Sequence, residues 1–160
     1  MNKLVALTVL LSACGGDDGG TAGGDGGNPG GSDVPHQTCV SETNRYRQMN
    51  GKAALAWSQA IETYADAGAM DDFNTSPHHH FAATNGGGIA FAENECPQQG
   101  NWQVPAGGDV SQVVKDCVAA FYSEGPGGGH YENMMGPYAK LGCGIYQSGG
   151  KITIVQDYGN

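Results

Sequence analysis

The chain has 160 residues, with 16 acids against 7 lysines and arginines, a formal net charge of −9, 28 glycines and 5 cysteines. An acidic chain with no basic stripe excludes nucleic acid as a partner and electrostatic docking on an anionic membrane as a mode of attachment. Its length leaves room for one domain behind a leader and a glycine-rich stretch.

Residues 1–13 carry a single positive charge, Lys3, then an apolar run from Leu4 to Leu11 broken by Thr8, then Ser12 and Ala13 before Cys14. A run of under about ten apolar residues is half of what a bilayer span requires, so the segment is expected to be a signal peptide that is removed. The order Leu11, Ser12, Ala13, Cys14 looks like a lipobox. Cys14 is therefore expected to be lipidated, and its acyl chains would hold the protein on a membrane at roughly 0.8 kcal/mol per buried methylene. Residues 14–36 are mostly glycine with aspartate, serine, threonine and asparagine. Such a segment buries too little surface to offset its ordering entropy and is expected to be a disordered linker. In the bacterial lipoproteins that this segment resembles, an aspartate directly after the cysteine favours the inner membrane. Gly15 in that place points to the outer membrane, with the folded domain facing the periplasm or the exterior.

Residues 37–160 form the expected domain. Thr38 to Met49 is a predicted helix with Val40, Thr43, Asn44 and Arg47 along one side and Gly51 at its end. Leu55 and Trp57 follow as apolar anchors. Ser58 is placed to cap a second helix running to about Asp72, in which Ile61, Tyr64, Ala65 and Ala69 recur at helical spacing. A strand is predicted around Gly88 to Asn94. Asp109 is placed to cap a third helix with Gln112 as a capping-box partner and Val110, Val113, Val114, Cys117, Ala120 and Phe121 as its apolar stripe. Its last turn delivers Glu124, and the glycines Gly127 to Gly129 are expected to be loop. Leu141, Cys143 and Ile145 alternate with Gly142 and Gly144, and Ile152 to Val155 resumes the strand pattern after Gly149 and Gly150, which predicts a β-hairpin. Three helices around a small antiparallel sheet give an α+β fold.

Setting Cys14 aside leaves Cys39, Cys96, Cys117 and Cys143, an even number that predicts two disulfides in an exported domain, in any of three pairings. No two of them have the close C-x-x-C spacing of a zinc knuckle. Groups able to bind a metal or move a proton gather in four places: His78, His79 and His80; Glu93; Glu124; and His130 after the three glycines.

These pieces occur in an order that resembles the CAP superfamily of cysteine-rich secretory, antigen 5 and pathogenesis-related 1 proteins. The matching residues are Asn44 and Arg47 with Leu55 and Trp57; Glu93 and Asn94; Phe121 to Glu124; Gly129, His130 and Tyr131; Gly142, Cys143 and Gly144; and the closing Ile154 to Tyr158. The resemblance implies a three-layer α-β-α sandwich (the SCP domain) with a cleft lined by two histidines and two glutamates. In some members that cleft holds zinc or another divalent ion. Carried over, the ligands would be His78 or His80 from the triplet, Glu93, Glu124 and His130. The implied function is a ligand- or partner-binding module, the partner being a lipid, a peptide or an envelope or host component. The competing class is a metal-assisted hydrolase with Glu93 or Glu124 as general base.

Overall fold

The computed structural model describes residues 31 and 33–160. The expected signal peptide, the lipidated Cys14 and most of the expected linker lie outside the described residues.

The elements run α1 (Val34–Met49), β1 (Ala56–Trp57), α2 (Gln59–Asn74), α3 (His79–Thr84), β2 (Ala92–Cys96), α4 (Val110–Ser123), α5 (Gly129–Met135), β3 (Lys140–Ser148) and β4 (Lys151–Gly159), with short 3-10 turns at Asn85–Gly88 and Gln98–Gly100. The four strands form one sheet in the order β1-β3-β4-β2. It is mixed and not purely antiparallel, because the two-residue β1 lies parallel to β3 while β3, β4 and β2 are antiparallel neighbours. No helix among the described residues is long and apolar enough to cross a membrane.

The α+β architecture is the expected one, with several local corrections. Helix α1 starts a turn early: Asp33 caps it by accepting from the His36 N–H, and Pro35 sits where its missing N–H costs nothing, so Val34 to His36 are helix and not linker. Strand β2 begins at Ala92 and not near Gly88, because the positive φ of Gly86, Gly87 and Gly88 keeps that stretch in tight turns. Gln112 makes no capping box; its amide reaches forward to Asp116, and Asp109 alone caps α4 through the Ser111 N–H. The buried stripe of α4 is Ser111, Val114, Cys117, Val118 and Phe121, with Ala120 turned to solvent. Gly129, assigned to a loop, is the first residue of α5, and the histidine triplet lies at the start of α3.

The alternation along β4 divides the molecule into two faces. Ile152, Ile154, Gln156 and Tyr158 point toward α1, α4 and α5, and pack with Leu141, Cys143, Val114, Val118 and Met134 in the main core. Val155 points the other way, against Ala65 and Ala69 of α2. Two disulfides tie the first face: Cys39–Cys143 joins α1 to β3, and Cys96–Cys117 joins β2 to α4.

The resemblance motifs have structural reasons. Asn44 clamps the chain entering β1, its amide donating to the Leu55 carbonyl and its oxygen accepting the Leu55 N–H. Buried Arg47 donates to the carbonyls of Ala53, Met134 and Gly136, which closes the ends of two connections at once. Gly142 and Gly144 face α2, where an added Cβ would run into the backbone of Ile61 and Glu62 or of Ala65. The glycines therefore set the close approach of helix to sheet, while Cys143 between them faces the opposite side and bridges to Cys39.

Candidate metal centre

The α2 face of the sheet carries the chemistry. Glu93 and Glu95 alternate with Asn94 along β2. Asn94 points to the first face, where it donates to Gln156 and to the Tyr158 hydroxyl, so the two glutamates share the other. Pro77 and His78 form the centre of a turn closed by the His79 N–H on the Ser76 carbonyl, and His78 takes a left-handed conformation (φ 61°) before α3 begins. Such a backbone is costly for a residue with a side chain and persists only where its surroundings fix it. Here they do: the His78 N–H donates to Glu95 Oε2 (2.6 Å) and His78 Nδ1 pairs with Glu93 Oε1 (2.7 Å). His78 Nδ1 is also 3.8 Å from Glu95 Oε2.

His78, Glu93 and Glu95 each offer a ligand atom within 4.8 Å of the others. The imidazole is half exposed (46%) while both carboxylates are buried, so an ion would enter past the histidine. Burial pushes the Glu93 and Glu95 carboxyls up, Glu95 to about 7, and the hydrogen bonds from His78 pull the other way. The Glu93 hydrogen bond raises the His78 imidazole against the effect of its burial. Glu93 Oε2 and Glu95 Oε1 have no hydrogen-bond partner among the described residues. An imidazole beside two buried carboxylates with oxygens to spare is a donor set that fits a divalent cation.

The remaining candidates are distributed. His80 packs against the Tyr64 ring and over Gly68, and its N–H donates to Asp72 Oδ1. His79 is exposed and pairs with Asp71. Glu124 and His130 come together as a second pair: His130 Nδ1 lies 2.5 Å from Glu124 Oε1 and the His130 N–H donates to Glu124 Oε2. The imidazole also packs at a tilt against the Phe121 ring (centroids 4.7 Å apart), and the hydrogen bond from His130 lowers the Glu124 carboxyl. The two pairs are linked through backbone. Asn94 donates to the His130 carbonyl, and Asn133 donates to the Glu93 carbonyl and to Asn94 Oδ1. Among the described residues, the clusters of three or more ligand atoms are His78–Glu93–Glu95 and Asp71–Asp72–His79, and neither includes Glu124 or His130.

Glu95, Asp72 and Asp157 were missed in the sequence. Glu95 was legible as the i+2 neighbour of Glu93 on a strand, and Asp157 as an acid inside a strand otherwise apolar enough to be buried. Asp72 was hidden, because only the α2–α3 turn brings it under His80.

Away from these groups, two clefts of about 210 and 240 Å³ meet at Gly88 and Phe91. Phe91 is 59% exposed and stands two residues from Glu93.

The cysteine-rich secretory protein family (CAP) matches residues 40–158. The crystal structure of NaASP2 with Zn2+ superposes with a TM-score of 0.58 at 19% identity, covering 81% of this chain and 84% of that one. The crystal structure of Na-ASP-1 gives the same TM-score of 0.58 at 17% identity, covering 83% of this chain and 40% of that one, so this chain spans less than half of Na-ASP-1. No curated protein matches the chain.

Proposed function

The chain belongs to the cysteine-rich secretory protein (CAP) family, and from that premise we propose that it is a non-enzymatic binding module whose ligand or partner docks on the α2–α3 face, over a divalent cation held by His78, Glu93 and Glu95. The observation that carries this reading is the half-exposed His78 imidazole set on two buried carboxylates that each keep an unpartnered oxygen. Exposed Phe91, where two clefts meet, offers apolar contact surface for a lipid or peptide two residues along the chain from Glu93. In this reading the domain is exported and held on the cell envelope, facing the periplasm or the exterior, through lipid on Cys14. The two disulfides support export, since such bonds persist in oxidising compartments. Glu124 and His130 act as a structural pair that ties the start of α5 to the end of α4.

Zinc, the ion in the NaASP2 structure, is the first to test. Calorimetric titration of the chelator-treated full chain is expected to show zinc uptake that falls by at least about tenfold in His78→Ala and by less than about threefold in His130→Ala. No uptake of zinc, manganese or calcium, or uptake lost in His130→Ala and untouched in His78→Ala, would overturn the reading.

A further inference from the structure

The acids on the α2 face outnumber the donors that serve them. Asp157 is fully buried in β4, and neither of its carboxylate oxygens has a hydrogen-bond partner among the described residues. Its register partner on β2 is Glu93, and directly opposed side chains of an antiparallel pair lie about 5 Å apart at Cβ. Glu95 is two residues further along the same face. Asp72, fully buried on the helix that covers this face, also keeps one oxygen unpartnered, so the four acids hold five such oxygens.

Three donors serve other oxygens of these acids. His78 Nδ1 serves Glu93, the His78 N–H serves Glu95, and the His80 N–H serves Asp72. Neither of the chain's two arginines is paired with these acids: buried Arg47 spends its bonds on three carbonyls, and Arg45 pairs with Glu42. Each buried, uncompensated carboxylate costs several kcal/mol, and four gathered between α2 and the sheet repel one another as well. Burial raises Asp72 and pushes Asp157 well above the usual carboxylate range, with the charges of Glu93 and Asp72 adding to the effect on Asp157.

We infer that Asp72, Glu93, Glu95 and Asp157 make the site under His78 an oxygen-rich one that takes a hard divalent cation of the manganese and calcium class. This inference rests on the cation-binding reading above and adds the ion class and the two deeper acids. Carboxylate oxygens suit manganese, calcium and magnesium, while zinc favours four-coordinate sites richer in nitrogen and sulfur. A single imidazole among carboxylates is compatible with manganese. Asp157 and Asp72 need not all reach the metal directly to matter, since their charge alone favours a dication at the mouth of the cluster.

The test is manganese binding to the chelator-stripped full chain, read as loss of the free-ion electron paramagnetic resonance signal, with calcium and zinc as competitors. Wild type is expected to bind manganese, to release it to calcium, and to show a higher thermal midpoint with manganese than in chelator. Asp157→Asn and Glu95→Gln should each weaken manganese by at least about tenfold, whereas Asp116→Asn, an exposed acid on α4, should leave it unchanged. Zinc uptake that depends on His78 without manganese uptake would overturn the ion class and leave the cation site standing. Uptake of neither ion would overturn both, and manganese bound equally by wild type and Asp157→Asn would remove Asp157 from the site.

Discussion

The two faces of the sheet handle buried polar groups in opposite ways. On the α1 side, Gln156 donates to Thr43 Oγ1 (2.7 Å) and accepts from Asn94 and from the Tyr158 hydroxyl, Asn94 accepts from Asn133, and Arg47 meets three carbonyls. On the α2 side, five oxygens of four buried acids have no partner among the described residues. A satisfied network specifies and holds a fold, whereas an unsatisfied one is retained against a stability cost, which a bound cation would offset in the reading proposed above. The first face is the scaffold, and the second carries the site we propose.

Breaking the scaffold face should have the largest effect. Replacing Cys39 and Cys143 by serine opens a loop of 104 residues and should cost about 4.7 kcal/mol in a denaturant titration under oxidising conditions, against about 3 for the 21-residue Cys96–Cys117 loop. Next comes Arg47→Met, which leaves the carbonyls of Ala53, Met134 and Gly136 without their donor in a buried place. It should cost about 3 kcal/mol, measured the same way, and a cost below about 1 would show that water replaces the guanidinium.

A smaller effect sits at the border between the faces. His36 of α1 lies between Asp33 and Asp66, and Asp66 of α2 also accepts the Ile145 N–H of β3. Burial alone would lower the His36 imidazole, but the hydrogen bonds and charges of Asp66 and Asp33 outweigh it and raise the group to about 9. A group whose folded pKa is raised stabilises fully below its unfolded value, near 6.5, and loses that stabilisation as pH rises through 9. The stability gap between wild type and His36→Gln should therefore shrink by about 2 kcal/mol between pH 6.5 and 9.5, the shift being discounted for its partly exposed carboxylate partners. A pH-independent gap would mean that His36 acts through packing.

The scaffold was more legible in the sequence than the site. Helical spacing exposed α1, α2 and α4, the Gly-Cys-Gly alternation exposed β3, and even cysteine number exposed the disulfides, because each is a local or countable signal. Helices α3 and α5 were not legible: they are short, open on a histidine triplet or a glycine, and depend on tertiary contacts such as Glu95 to the His78 N–H and Glu124 to the His130 N–H. The same holds for the site. His78 and Glu93 could be named from motif order and Glu95 from its place two residues along the same strand, but Asp72 and Asp157 join them only through a turn between helices and strand pairing that periodicity does not report.

Gln156 and Asp157 are neighbours on β4 that point to opposite faces, so one pair of variants tests the division directly. We would measure the unfolding free energy of Gln156→Ala and Asp157→Asn in chelator at pH 7.5. Gln156→Ala should lose about 2 kcal/mol with its hydrogen bonds, while Asp157→Asn should gain about 1 by removing a buried, uncompensated acid. Equal destabilisation by both would contradict the account, since it would mean that the acid on the α2 face is as much a part of the scaffold as the amide on the other.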